Sequence, residues 1–379
     1  MKKLVSALLL SAALTGSSAY AAALPDLPVP FKLGAGAMLD GVIYAGLGTA
    51  GTDWYKLDTR AEKPQWEKAA VFTGPAREQS QAVVLNDKIY IFGGVGKASA
   101  DATRISVLND VYVYDPQDDH WSKVMTRAPR GLTGHAAATV DGKIAFIVGS
   151  VNKPIFDGYF EDLEAAADDK ALIERINADY SNKPVADYFF NRDVLAYDAE
   201  RNLWYNKGQL PATGTAGSAL AVDGNTITVI NGERKPGLRT AAVTQFTVED
   251  YGLKWEPLPD LTAPEGEALQ EGIAGAFAGV SDHVVLAAGG ANFPGSTQAY
   301  ANGRNFAHAG CTKTWRDEVY AYVNGQWVDA GRLPQPLGYG AAVQNGDEVI
   351  LIGGETTGGK AVSKVITLSF KDGQVIIED

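Results

Sequence analysis

A unit written about six times along this chain restricts its fold more than any other feature. Each copy is an apolar strand ending in a glycine pair, a second strand ending in Tyr-Asp or a close equivalent, and then a tryptophan. One copy reads Lys88-Ile89-Tyr90-Ile91-Phe92-Gly93-Gly94, then Val111-Tyr112-Val113-Tyr114-Asp115, then Trp121. The glycine-pair position recurs as Leu47-Gly48, Gly93-Gly94, Gly149-Ser150, Asn231-Gly232, Gly289-Gly290 and Gly353-Gly354. The tryptophan position recurs as Trp66, Trp121, Trp204, Trp255, Trp327 and finally Val375. Self-similarity at a period of roughly 46 to 82 residues marks a radial or linear array of small sheets. A ring of such sheets buries both faces of every one, so the whole array is expected to form one domain.

The pattern resembles the kelch repeat, which implies an all-β, six-bladed β-propeller over residues 24–379. Length alone, at 379 residues, would also allow two or three domains, but a repeat ring overrides that prior. The 42 glycines and 17 prolines, without collagen periodicity, fit many short strands and turns. Among the departures from the pattern, Ser150 stands where a second glycine is expected, and Val375 replaces the last tryptophan. Lys371-Asp372-Gly373-Gln374-Val375 aligns with Val323-Asn324-Gly325-Gln326-Trp327, so the last blade can supply its own outer strand.

Residues 1–23 read as an export leader: Lys2-Lys3, an apolar core from Leu4 to Leu14 too short to span a bilayer, and the Ala19-Tyr20-Ala21 cleavage site. Ala21-Ala22-Ala23 is an overlapping site that would start the mature chain at Leu24. A periplasmic protein is therefore expected. The formal charge of −12 becomes −14 without Lys2 and Lys3, which argues against nucleic acid or an anionic membrane surface as partner. The single cysteine, Cys311, rules out an intrachain disulfide and reads as a buried, inert thiol.

Alternating strand direction places the loop after each glycine pair and the crossover between blades on one face. The insertions Val95 to Asn109, Val151 to Arg192, Glu233 to Arg239 and Ala291 to Arg316 all follow glycine pairs and should ring the central channel. The crossovers bring Arg77 and Arg130 to the same face. The 151–192 insertion carries an apolar stripe of Leu163, Ala167, Leu172, Ile173 and Ile176, which predicts one helix from Glu161 to Tyr180. Such a helix either decorates the rim or walls the channel.

Chemistry-bearing residues are few. His120, His135, His283 and His308 show no metal-ligand spacing, and no phosphate loop or nucleophile elbow is present. Glu233 stands out as an acidic residue just after a glycine pair, beside Arg234, Lys235 and Arg239. Among cations its carboxyl is expected to lie below its ordinary pKa. It reads either as an ion-pair partner or as a general base facing an anion held by arginines.

Four segments carry a more specific resemblance: Asn231-Gly232-Glu233-Arg234-Lys235-Pro236-Gly237-Leu238-Arg239-Thr240, Asp157-Gly158-Tyr159-Phe160-Glu161-Asp162-Leu163, Gly353-Gly354-Glu355-Thr356-Thr357-Gly358-Gly359-Lys360-Ala361-Val362, and the opening Leu24-Pro25-Asp26-Leu27-Pro28-Val29-Pro30-Phe31-Lys32. With them the chain resembles the bacterial exported N-acetylneuraminate epimerase (sialic acid mutarotase) family from about residue 24 to the C-terminus. The resemblance implies interconversion of the α- and β-anomers of free N-acetylneuraminic acid, with the proton acceptor on Glu233 and no cofactor. Arg239 and Arg77 are expected to hold the sugar acid. Tyr159, Glu161, Asn302, Arg304 and His308 are further candidates near the insertion tips. Two other readings stay open here: a kelch module that only binds a sugar acid, and a sialidase, for which the chain has one degenerate box at Asp250–Trp255. The oligomeric state is open, a homodimer included.

Overall fold

The computed structural model describes residues 23–250 and 252–379; the expected leader lies outside the described residues except for Ala23. Six antiparallel four-stranded sheets follow one another along the chain. Their innermost strands are Ala35–Leu39, Gln81–Leu85, His135–Ala138, Ala219–Asp223, Phe277–Ser281 and Ala341–Asn345, in blades one to six. Each packs against the next, and the sixth packs against the first, which closes a ring. Six strands converging on one axis leave little room, and the small residues Ala35, Gly36, Ala137, Ala219, Ala278 and Ala342 line much of the channel.

The repeat positions owe their residue types to backbone and packing needs. Both members of every glycine-pair position have positive φ, for example Gly93 at 56° and Gly94 at 104°. A side chain on Gly94 would meet the Glu78 carbonyl at 2.8 Å. Ser150 occupies the same conformation in blade three, where its hydroxyl has the Gly131 and Thr133 carbonyls within reach as acceptors, at 3.1 and 3.2 Å, and accepts from the Thr133 N–H. The tryptophans lie directly across the outer hairpin from an aromatic residue: Tyr114 with Trp121, Tyr197 with Trp204, Phe246 with Trp255 and Tyr322 with Trp327. Their ring centroids are 4.8–5.2 Å apart, and such pairs add about 0.5–1.5 kcal/mol each beyond area burial. In blade six Phe370 faces Val375 instead, and Gln374–Glu378 forms that blade's own outer strand.

Just upstream of each inner strand one residue adopts the left-handed conformation: Leu33, Gln79, Gly134, Gly217, Gly275 and Tyr339. Their peptide groups hydrogen-bond from blade to blade around the axis. The Leu33 N–H donates to the Tyr339 carbonyl, Tyr339 to Gly275, Gly275 to Gly217, Gly217 to Gly134, and Gln79 to Leu33, at 2.6–2.9 Å. The remaining gap is crossed by the Thr133 hydroxyl, which donates to the Gln79 side chain at 3.3 Å. The segment before blade one closes the circle, since Phe31 pairs with Val362 and its carbonyl accepts from Gly354 at 2.7 Å.

The 151–192 insertion departs from the expected single helix. It forms α1 (Lys153–Ala166) and α2 (Lys170–Ser181), with Ala167 at φ 48° between them. Asp169 ends the run because its carboxylate accepts from the Leu172 N–H and starts a second helix. The 291–316 insertion contains α3 (Ser296–Ala301). Among the described residues no helix is long and apolar enough to cross a membrane.

Candidate active site

Glu233 begins a short hairpin whose turn is Pro236-Gly237, with Gly237 at φ 78°. A side chain at Gly237 would overlap the His308 ring, so the turn admits only glycine. In the antiparallel register Glu233 lies opposite Arg239, and directly opposed side chains share one face. The Glu233 carboxylate meets Arg239 Nη1 at 2.7 Å. Glu233 is also fixed through its backbone, exchanging two hydrogen bonds with Ala216 on the preceding crossover at 2.7 and 2.9 Å. Its side chain is 22% exposed and that of Arg239 only 4%. The carboxylate is thus the accessible end of the pair.

Burial pushes the Glu233 carboxyl above its ordinary pKa, and the charges of Arg239 and Lys313 with the Gly237 N–H only partly offset it. The expected depression among cations is therefore reversed: desolvation outweighs the neighbouring charge. Arg239 lies 4.9 Å from the Phe293 ring centroid and donates through Nη2 to the Tyr339 hydroxyl at 3.4 Å. Its buried Nε and Nη1 have no hydrogen-bond partner among the described residues, Nη1 meeting Glu233 as an ion pair only.

Three insertions roof this pair. Val185, Leu238 and Ala307, one from each, pack together. Lys235, fully buried, donates to the carbonyls of Ser181 at 3.0 Å, Asn305 at 2.6 Å and Lys183. Its ammonium lies over Tyr188, and burial pushes its pKa down to about 8. Val151 and Phe156 reach the channel, and the charge of Glu233 acts on Tyr180 and Tyr188. The helical insertion is therefore a wall of the site. The cavity at the channel mouth holds about 390 Å³.

Of the residues expected to bind the sugar, His308 packs against the turn of the Glu233–Arg239 hairpin at Gly237. It packs on Phe293 and Phe306, and burial followed by the charges of Arg239 and Lys235 lowers its pKa. Arg77 does not face the cavity. Its side chain is fully enclosed, bonded to Asp110 at 2.7 Å and to the Gly93 carbonyl at 3.0 Å, between the rings of Phe72 and Tyr112. That is a brace within blade two, and Arg130 pairs similarly with Asp193 in blade three. Tyr159 donates to Asn177 at 2.6 Å and stacks on Tyr180, which locks α1 against α2. Glu161 is exposed and paired with Arg104 at 3.1 Å. Asn302 and Arg304 are exposed just after α3, and Asn302 accepts from Gln298. Cys311 is partly buried, not buried as expected.

Sequence reading passes over a second carboxylate in the same position. Glu355 follows Gly353-Gly354 as Glu233 follows Asn231-Gly232, and pairs with Gly338 on its own crossover. It accepts from Lys313 at 2.6 Å, Lys32 at 2.7 Å and Trp315 at 3.0 Å. Burial opposes its ionisation, but the two lysines prevail and its pKa lies below the ordinary value. Lys313 in turn lies 4.4 Å from the Tyr339 ring centroid. An alternating chain of charges and aromatic rings thus runs from Glu233 through Arg239, Tyr339 and Lys313 to Glu355.

The chain as a whole is similar to known proteins. A family model described as N-acetylneuraminate epimerase matches residues 24–377. A protein named N-acetylneuraminate epimerase from Yersinia pestis (strain Pestoides F) is 51% identical over 359 residues, covering 95% of this chain and 92% of its own. One of the same name from Salmonella arizonae is 50% identical over 373 residues, covering 98% and 96%. A solved structure described as "Structure of YjhT" superposes with a TM-score of 0.89 at 41% identity, over 94% of this chain and 99% of that one.

Proposed function

The chain belongs to the N-acetylneuraminate epimerase family and interconverts the anomers of N-acetylneuraminic acid, and from that premise we propose that Glu233 is the general base and Arg239 the anchor of the substrate carboxylate. The sugar-acid binding module and the sialidase are set aside by the same membership. One observation carries the assignment: the Glu233–Arg239 pair held rigidly across a hairpin at the channel mouth. Opening the cyclic hemiketal needs a proton taken from the anomeric hydroxyl while the ring oxygen gains one. Rotation of the open ketone and closure on its other face complete the exchange. An ionised Glu233 with a raised pKa is a better proton acceptor than an ordinary glutamate. The unpartnered Nε–H of Arg239 is suited to a carboxylate, whose charge strengthens the hydrogen bond.

Glu233→Gln should fold as the parent and lose roughly 10²- to 10⁴-fold in exchange rate. Proton NMR of α-anomer freshly liberated from a sialoside measures it, and a parent-like rate defeats the assignment. We also propose that the enzyme acts in the periplasm. The family match beginning at residue 24, directly after the Ala21-Ala22-Ala23 site, supports this reading. Recovery of the protein in the cytoplasmic fraction of its host, with Met1 still at its N-terminus, would overturn it.

A further inference from the structure

The base accounts for one of the two proton transfers, and the other needs a donor. Three titratable side chains line the channel cavity: His135, Glu233 and Tyr339. His135 is 2% exposed, and burial pushes its pKa down to about 3, so it stays neutral. Tyr339 and Glu233 flank the same guanidinium, with Arg239 Nη1 on the carboxylate at 2.7 Å and Nη2 on the phenol at 3.4 Å. The anomeric hydroxyl and the ring oxygen of the sugar share one carbon, so an acid and a base serving them must be neighbours of this kind.

Building on the assignment of Glu233, we propose that Tyr339 is the proton donor to the ring oxygen. Its place in the fold points the same way. Of the six left-handed residues that circle the axis three are glycines, and Tyr339 alone brings a titratable group to that position. A bulky side chain at φ 58° is strained, and the blade-to-blade hydrogen bonds of its peptide hold it there. Its ring packs against Gly275, where an added side-chain carbon would lie 2.4 Å from it. Two cations surround it, Arg239 at the hydroxyl and Lys313 over the ring, the latter tied to Glu355. Both oppose the negative charge that remains when the phenol gives up its proton.

The transfers balance. Glu233 removes the anomeric hydroxyl proton, the carbonyl forms, and the bond from the anomeric carbon to the ring oxygen breaks as that oxygen takes the Tyr339 proton. The open ketone turns, and its hydroxyl attacks the other face while returning a proton to the Tyr339 phenolate. The carbonyl oxygen recovers its proton from Glu233, and both side chains end as they began.

The test compares the full protein with Tyr339→Phe, which keeps the ring contacts, and with 3,5-difluorotyrosine at position 339, whose phenol is more acidic. Tyr339→Phe should lose roughly 10²- to 10⁴-fold in exchange rate while binding the sugar acid nearly as tightly. The fluorinated protein should carry the alkaline limb of its pH–rate profile to lower pH. A purely structural tyrosine would leave that limb unmoved, even if Tyr339→Phe fails to fold. A parent-like rate from Tyr339→Phe, or an unmoved limb, overturns the proposal. Glu233→Gln measured alongside separates the two assignments, because its rate reports on the base alone.

Discussion

Glu233 and Arg239 are six residues apart and touch because a Pro-Gly turn folds their strands into register. The balance of forces on Glu233 has a pH consequence. Its pKa is raised in the fold, and as the proposed base it accepts a proton only when ionised, so kcat/KM should fall as pH drops through that raised value, at higher pH than for an ordinary glutamate. The Arg239 charge lowers this pKa, so Arg239→Ala should move the acid limb of the profile to still higher pH. The same variant should bind the sugar acid at least tenfold more weakly, since a charged hydrogen bond contributes about 1.5–3 kcal/mol. The carboxylate-reduced analogue should lose far less. Calorimetric titration with both ligands and a pH–rate profile check the two effects, and equal losses for both ligands would deny Arg239 its anchoring role. Arg77 offers the contrast, because removing it leaves Asp110 without its buried partner and so damages blade two instead of the cavity.

Among the elements, Lys235 governs how the roof sits over the site. Its ammonium bonds to carbonyls on the blade-three and blade-five insertions while its backbone belongs to the Glu233 hairpin. Lys235→Met fills similar space but leaves those carbonyls unsatisfied, which should cost about 3 kcal/mol in urea unfolding. It should also raise KM, because the walls carrying Phe156 and Tyr180 lose their tie to the Glu233 hairpin. Parent-like stability and KM would reduce the contact to an incidental one. The helical segment itself was legible from its apolar stripe. Its break at Ala167 was not, since Asp168-Asp169 reads as a tolerable helix interior until the Asp169 carboxylate is seen capping Leu172.

At the scale of the whole molecule, closure rests on the segment before blade one. Leu27 donates to the Ser363 carbonyl at 2.8 Å, Phe31 is fully buried between blades one and six, and Lys32 reaches Glu355 at 2.7 Å. Phe31→Ala should therefore destabilise the propeller by about 3–5 kcal/mol. Because Lys32 and the Leu33–Tyr339 hydrogen bond adjoin it, anomer exchange should fall as well. Urea unfolding and the NMR assay measure the two losses, and a variant that unfolds like the parent would show that the ring closes without this segment.

The sequence alone determined the six-blade array, because its markers are local necessities: consecutive residues at positive φ after the second strand, and in blades two to five an aromatic residue across the outer hairpin from a tryptophan. It also singled out Glu233 among the cations Arg234, Lys235 and Arg239, but left open which of them it meets; the hairpin that sets it opposite Arg239 is seen in the structure. Only the tertiary structure decided what depends on ring closure and burial. Tyr339 meets Arg239 across 100 residues of chain, and Glu355 meets Lys32 across 323. No sequence spacing encodes such contacts. Burial likewise turned the Glu233 pKa upward where neighbouring charge alone argued for the opposite, and enclosed Arg77 as a brace where its place on a crossover suggested a ligand contact.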